Sequence, residues 1–324
     1  MGRSSNSSHV ELGASRAVQA LRTAAVMGIS LGYNQYGKAE IRLVHIDRST
    51  PVHQIKDVNV TSQLTGDFAA THLTGDNSAV IATDTQKNTV YALARLGGVG
   101  AIEEFALRMA RNFVDKYPQV TGSRQEVEEY SWNRINTAED GPHDHAFTRG
   151  SNEVRTTVVT KQGANEWVIS GLRELTVLKT TGSEFHGFPE VEYTSLVETT
   201  DRILATAVTA RWRYIGVEHD WNETFAGVRQ LMLDRFASTH SLSLQQTMYA
   251  MGEGVLSAYP EIAEIRFSMP NKHHFLVDLS KWGLDNPHEI WYAADRPYGL
   301  IDASIVRDDA PPADGLWEGI KGFV

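Results

Sequence analysis

Two groups of polar residues follow directly on apolar stretches, where they could take part in chemistry. In AVIATDTQKNTVYALA, four apolar residues lead into Thr83 and Asp84 at the start of a helical pattern. In SMPNKHHFLVDL, Asn271 and His273 lie between two apolar runs. Capping is the ordinary role of Thr and Asp at a helix start, because their side-chain oxygens accept first-turn N–H groups. A helix N-terminus can equally hold a polar ligand, so these residues alone leave both interpretations open.

The histidines suggest two kinds of chemistry. Adjacent side chains of a strand point to opposite faces, so His273 and His274 are not expected to share one site. One of them could face a pocket and move protons, although a hydrogen-bonded structural histidine is the default. His143 and His145 have the alternate-residue spacing that could bind zinc on a strand. No third ligand is evident at a diagnostic spacing, which weakens this metal site.

Lys38, Arg202 and Gln245 are further candidates, and each residue type allows two interpretations. Lys38 opens the first predicted strand, where a solvated lysine is ordinary and a partly buried one could act as a base. Arg202 either forms a surface ion pair with Asp201 or binds a planar anionic ligand through two parallel hydrogen bonds. Gln245 begins a predicted helix, and its amide offers both a donor and an acceptor. None of these signals is specific alone.

Hydrophobic periodicity predicts the elements that must position these residues. The inner face of the first predicted strand consists of Ala39, Ile41 and Leu43. AVIA is a further short predicted strand, and the last predicted strands are EIRFSMP, HFLVDL and EIWYAA. Both halves read as strands, two helices and strands, which indicates a duplicated antiparallel α+β unit. The predicted domains are residues 27–163 and 164–324, after a disordered leader or tag at 1–26.

Composition restricts the class of partner. The chain has 324 residues and a formal charge of −10, which argues against a nucleic-acid partner. It has no apolar run long enough to span a membrane and no cysteine for disulfides or thiolate sites. Motifs for dinucleotides, P-loop phosphates and hydrolase nucleophiles are absent. The final residues, KGFV, are not a peroxisomal signal, so a bacterial cytoplasmic protein is the simpler expectation.

Seven segments together resemble the urate oxidase (uricase) family. They are NQYGKAEIRLV, ATDTQKNTVYA, LTVLKTTGSEFHGF, ETTDRILAT, SLQQTMY, MPNKHHFLVDL and ADRPYGLI, in the family's order. The resemblance implies an α+β fold of two tandem tunnelling-fold (T-fold) domains, with antiparallel sheets and paired helices on one face. It also implies a homotetramer with active sites at subunit interfaces. The loop at 137–142 looks longer than in the family, and the N-terminal extension has no counterpart in it.

The family's functional residues correspond to particular positions of this sequence. Its catalytic lysine, threonine and histidine fall on Lys38, Thr83 and His273. Its urate contacts fall on Thr83, Asp84, Phe185, Arg202, Leu244, Gln245 and Asn271. In the family, one subunit supplies the lysine and threonine, and its neighbour supplies the arginine and glutamine. The resemblance therefore favours the functional interpretation at each of these positions.

The resemblance implies oxidation of urate by dioxygen and water to 5-hydroxyisourate and hydrogen peroxide, as in purine catabolism, with no metal or other cofactor. Phe185 would stack on the flat purine anion, while Arg202 and Gln245 would grip its edge. Asn271 would hold oxygen or water above the ring.

Two alternative functions follow from the residues considered so far. One is a zinc-dependent pterin or purine enzyme on the same fold, with His143 and His145 as ligands. The other is a purine-binding protein without turnover, which would bind urate and consume no oxygen. Stoichiometric metal in the purified protein would favour the first alternative.

Overall fold

The computed structural model describes residues 28–294 and 296–320. The predicted leader at 1–26 and the C-terminal KGFV at 321–324 lie outside the described residues. Within them, the strands are β1 (Tyr36–Asp47), β2 (Gln54–Gly66), β3 (Val120–Thr137), β4 (Gly141–Gln162), β5 (Asn165–Lys179), β6 (Leu204–Tyr214), β7 (Ile262–Asn271), β8 (His274–Leu276), β9 (Trp291–Ala293) and β10 (Gly299–Val306). The helices are α1 (Ala69–Leu73), α2 (Thr83–Gly97), α3 (Ile102–Lys116), α4 (Trp221–Ser238) and α5 (Leu244–Ala258).

Eight of these strands form one antiparallel sheet in the order β1-β2-β3-β4-β5-β6-β7-β10, and β8 pairs with β9 separately. The helix α3 packs on β3 and β4, and α5 packs on β7 and β10. Their apolar residues at helical spacing are buried against the sheet, as for Phe105, Met109, Met248 and Met251. Each such side chain adds about 1.5–3 kcal/mol by leaving water. In the described part of the chain, no helix combines the length and apolar character needed to cross a membrane.

The two halves of the chain contribute equally to the eight-stranded sheet. The first half supplies β1 to β4, and the second supplies β5, β6, β7 and β10. The predicted boundary falls in the tight turn between β4 and β5, which pair from Gln162 with Asn165 onward. The sheet is therefore continuous across the boundary. The division into residues 27–163 and 164–324 stays a prediction.

The predicted strand AVIA is wrong. Residues 79–82 form no strand, and the backbone N–H of Ile81 donates to the Tyr36 hydroxyl over 2.9 Å. Ile81 is buried beside Leu64, Phe68 and Phe113, which explains its apolar character. An apolar run of four residues can thus pack into a core without a strand partner.

Two further predictions of the strands need correction. Ile41 points into the core as predicted, but Ala39 is exposed, because a bulge with Glu40 at φ 59° shifts the β1 register. HFLVDL and EIWYAA supply only the short pair β8 and β9, outside the main sheet. The strand at that edge of the main sheet is β10, which periodicity did not predict.

Gly37, next to Lys38, allows the close approach of β1 to β2. A methyl group at Gly37 would lie 1.8 Å from the Ser62 carbonyl oxygen. We therefore expect Gly37→Ala to lower the free energy of unfolding by about 1–3 kcal/mol and to displace Lys38. Urea unfolding and a turnover assay measure the two effects. Gly32→Ala is the matched control, because nothing lies within 4 Å of a Cβ there; equal losses in both variants would contradict the prediction.

Candidate functional site

A cavity of about 600 Å³ lies where the end of β7 meets the segments on either side of Arg202. Four of the predicted site residues line it, namely Phe185, Arg202, Asn271 and His273. They come from three separate parts of the second half of the chain, and the sheet brings them together. The cavity combines an aromatic ring, a cation, an amide and an imidazole, which are the groups needed to hold a planar anion.

Arg202 is held at the cavity wall by the segment before Phe185. Its backbone N–H donates to the Ser183 carbonyl over 3.0 Å, and its Nε donates to Ser183 Oγ over 3.3 Å. The guanidinium carbon lies 5.2 Å from the centroid of the Phe185 ring, which also stacks with Phe188. Burial lowers the pKa of Arg202, but an arginine remains charged near neutral pH. The wall thus presents a fixed cation beside an aromatic ring.

Asn271 ends β7, and His273 follows it before β8 begins. The prediction that His273 and His274 do not share a site is wrong, because both line the cavity. Strand alternation does not apply here, since β7 ends at Asn271 and the chain is irregular until His274. Burial, helped by the charge of Arg202, lowers the pKa of His273. The imidazole of His273 is therefore neutral near pH 7 and able to accept a proton.

The lowered pKa of His273 gives a test of its burial. The unfolded chain protonates this residue near pH 6.5 while the folded chain does not, so the native state loses stability as the pH falls below that value. We expect the melting temperature of the protein to fall, relative to His273→Gln, as the pH is lowered through 6.5. Thermal denaturation of both proteins across this range measures the difference. A constant difference at every pH would contradict the burial.

Leu244 and Gln245 begin α5 beside the cavity, although neither lines it. The backbone N–H of Glu184 donates a hydrogen bond to the Ser241 carbonyl over 2.7 Å, which connects this helix start to the segment that carries Phe185. The Leu244 side chain is buried in the core, so only its backbone can reach a ligand. Its N–H belongs to the first turn and has no intrahelical acceptor. The Gln245 side chain is exposed at the same turn.

Lys38, Thr83 and Asp84 form a second group, at the other edge of the sheet. The capping interpretation is wrong, because the N-cap of α2 is Ala82 and no side chain caps it. Asp84 instead accepts hydrogen bonds from Lys87 and Asn88. The bond from Lys87 holds the pKa of Asp84 below its usual range, and the charge of Lys38 adds a smaller effect. The charge of Lys38 therefore acts on the carboxyl group of Asp84.

A buried hydrogen bond places Lys38 near the first turn of α2. Lys38 pairs with Ser62 across β1 and β2, and Ser62 Oγ donates to Gln86 Oε1 over 3.2 Å. Gln86 is fully buried in that turn. The second group is thus positioned by β1, β2 and α2.

The two groups are far apart within one chain. Lys38 lies on β1 at one edge of the sheet, and His273 follows β7 near the other edge. Six strand spacings separate β1 from β7, or about 29 Å along the sheet. Within one chain the predicted site residues therefore form two separate groups, here called half-sites, rather than one constellation.

The histidines of the proposed zinc site lie near a third one. The His143 and His145 rings are 4.6 Å apart, and His53 is 5.8 Å from His145. Across the described ranges, no group of three His, Cys, Asp or Glu is arranged to hold a metal ion. The zinc-dependent alternative is not supported.

The cavity also includes residues that the sequence did not indicate. Glu198, His288 and Trp291 line it as well. The stretch DNPHEIW carries no periodicity or motif that points to a site. Only the fold brings it to Arg202.

Known proteins resemble this chain over most of its length. The family model named Uricase matches residues 34–160 and 168–302. The uricase of Arthrobacter globiformis is 56% identical over 91% of this chain and 96% of its own length. Its crystal structure superposes with a TM-score of 0.86, covering 90% of this chain and 99% of that one. The uricase of Dictyostelium discoideum is 36% identical over 85% of this chain and 96% of its own.

A more distant structure shows the fold alone. Urate oxidase from Bacillus sp. TB-90 is 23% identical, with a TM-score of 0.76 over 85% of this chain and 100% of that one.

The fold and the cavity define an α+β enzyme with an antiparallel sheet and helices on one face, as the T-fold prediction required. The chain belongs to the uricase family. The predicted family and fold class are confirmed.

Proposed function

We propose that this protein oxidises urate with dioxygen and water to 5-hydroxyisourate and hydrogen peroxide, as a step of purine catabolism. Urate gives up two electrons and dioxygen takes up two, so the reaction needs no further oxidant. The observation that carries the proposal is the cavity with Phe185, Arg202, Asn271 and His273 in a chain 56% identical to a uricase. The non-catalytic alternative has no comparable support.

Binding is the proposed task of the cavity and of the start of α5. Urate is a flat anion near neutral pH, so the Phe185 ring suits its face and the Arg202 guanidinium its edge. Gln245 would complete the edge contact through its amide, and the Leu244 backbone N–H would donate beside it. Thr83 and Asp84 would contact the ligand from the second group, and Asn271 would hold dioxygen or water above the ring. Such fixed geometry lowers the entropic cost of reaction.

Proton transfer is the proposed task of Lys38, Thr83 and His273. Oxidation requires removal of protons from urate and from the attacking water, and their delivery to the reduced oxygen. A lysine and a neutral histidine bridged through a hydroxyl can move these protons. The neutral state of His273 suits this role, because burial lowers its pKa. We propose that no metal or organic cofactor takes part.

We propose that complete sites form between subunits of a homotetramer. The separation of the Lys38 group from the Arg202 group across the sheet supports this assembly, because one chain cannot bring them together. Edge strands β1 and β10 leave backbone groups for pairing with another copy. The second group of one subunit would face the cavity of its neighbour. Sedimentation measures the predicted tetramer directly.

Subunit complementation tests the shared site. We expect co-expression of Lys38→Ala and Arg202→Gln chains to restore about one quarter of wild-type activity, since random association leaves that share of sites intact. At urate concentrations near the wild-type KM, each variant alone should be nearly inactive. Co-expression of Lys38→Ala with Thr83→Ala is the matched control, because both lesions affect the same half-site and no intact site can form. Equal activity in the two mixtures would contradict the shared site.

The first experiment on the function uses the purified, chelator-treated protein with urate in air. Urate absorbance, dissolved oxygen and peroxide are followed together. We expect urate loss matched mole for mole by peroxide. Binding of urate without oxygen consumption would refute the oxidase and favour the purine-binding protein. Activity that returns only after zinc is added would favour the zinc enzyme.

A further inference from the structure

The cavity has two walls from distant parts of the chain. Phe185, Asp201 and Arg202 come from the chain between β5 and β6, here called the first wall, and His288 and Trp291 are here called the second wall. His288 lies in the segment 277–290 between β8 and β9, and Trp291 begins β9.

The segment 277–290 is organised internally by one side chain. Asn286 Nδ2 donates to the carbonyls of Val277 (2.9 Å) and Ile290 (2.7 Å), and Asn286 Oδ1 accepts from the N–H groups of Glu289 and Ile290 (3.0 Å each). The backbone N–H of Val277 also donates to the Ile290 carbonyl over 3.0 Å. The two ends of the segment are therefore joined.

A histidine–carboxylate contact links this segment to the opposite wall. His288 Nδ1 lies 3.0 Å from Asp201 Oδ2, while Thr181 Oγ1 donates to Asp201 Oδ1 over 2.8 Å. These bonds hold the pKa of Asp201 below its usual range, the bond from Thr181 first. Asp201 directly precedes Arg202, so the contact reaches the residue next to the proposed urate clamp.

The backbone at His288 is unusual in a way that fits this role. Its φ is 63°, in the left-handed region that is uncommon outside Gly, although Asn, Asp and His adopt it more readily than most residues. Trp291 Nε1 donates to the His288 carbonyl over 2.8 Å, and the two rings meet edge to face. These contacts and the left-handed backbone place the His288 ring against Asp201.

We propose that Asp201 and His288 are positioning residues that hold the two cavity walls together and thereby set the affinity for urate. The inference rests on the proposed function of the cavity. Neither residue is a catalytic group, so the contact acts on binding rather than on the chemical step. Their side chains are 42% and 48% exposed, so the pair itself contributes little to folding stability. Affinity and stability are therefore separable in an experiment.

Two substitutions at His288 test the proposal. Asn and Gly both tolerate the left-handed backbone, but only Asn keeps a donor near the position of Nδ1. We expect His288→Gly to raise the KM and the Kd for urate about five- to tenfold while kcat changes less than about twofold. We expect His288→Asn to restore both constants to near the wild-type values. The melting temperature should be similar in all three proteins.

The outcomes separate this inference from the function itself. Equal KM and Kd values in His288→Gly and the wild type would overturn it. A joint loss of kcat and melting temperature in both variants would also overturn it, because a structural role would then suffice. The wild-type turnover assay decides the proposed function separately. A wild type that binds urate without turnover would refute the proposed oxidase activity. The Kd values of the wild type and the two His288 variants would then still test the Asp201–His288 contact.

Discussion

Lys38→Ala is expected to lower kcat for urate oxidation by about 10²–10⁴-fold, the range typical for loss of a general acid–base group. Lys38 stands on β1, and its charge contributes to the lowered pKa of Asp84 at the start of α2. Alanine removes the amine but leaves the strand and its pairing with Ser62 in place. Because the proposed urate clamp lies in the other half-site, the Kd for urate should change little. Stopped-flow turnover and equilibrium urate binding measure the two constants.

Two further variants complete this test. Thr83→Ala should show the same selective loss of kcat, because the relay needs its hydroxyl. Lys116→Ala is the matched control, since Lys116 is exposed at the end of α3 and the proposal gives it no role. If Lys38→Ala turns over urate at the wild-type rate, the proposed relay is wrong. If it loses urate binding instead, Lys38 belongs to the binding set.

Arg202→Gln is expected to lower kcat/KM for urate by about 10²–10³-fold, because it removes one partner of a partly buried, charge-assisted contact. Arg202 is fixed by Ser183 at the cavity wall and lies beside the Phe185 ring. Glutamine keeps some hydrogen-bonding capacity but lacks the positive charge and the two parallel N–H donors of the guanidinium group. The loss should appear mainly as a raised KM and a raised Kd for urate. Steady-state kinetics and calorimetric titration measure it.

Arg202→Lys distinguishes charge from geometry. A lysine keeps the charge but cannot form two parallel bonds to one edge of a planar ligand, so it should recover only part of the affinity. Full recovery would show that charge alone binds urate. Arg95→Lys is the control, because Arg95 is exposed in the last turn of α2. Wild-type affinity in Arg202→Gln would remove Arg202 from the proposed site.

Local patterns in the sequence were sufficient for most helices and strands. The helical spacing of Phe105, Met109 and Phe113 predicted α3, and these residues are fully buried against the sheet. Periodicity predicts this helix correctly because the residues of one buried helix face lie three or four positions apart in the sequence, so the signal is local. The family resemblance was sufficient for the fold class and the family, because its motifs lie in one order along the whole chain. The residue roles that it implies remain proposals.

Tertiary structure alone decided where the chemical groups lie relative to one another. The bulge at Glu40 exposes Ala39 and sets the register that carries Lys38, and it depends on pairing with β2. Ala82 is the N-cap of α2, although Thr83 and Asp84 are better capping residues. In both cases the observed backbone differs from the one that local residue preferences favour. Long-range packing contributes more free energy than a single turn or helix cap, so packing decides the conformation.

The sequence by itself determined the family, the fold class and the residue types available for chemistry. The structure decided that Phe185, Arg202, Asn271 and His273 share one cavity, and that Lys38 lies six strands away from it. It also brought His288 to Asp201, across 87 positions of the chain. Such contacts depend on strand order and on loop packing between distant segments. Neither leaves a periodic signal in a single sequence, so no pattern of neighbouring residues could have predicted them.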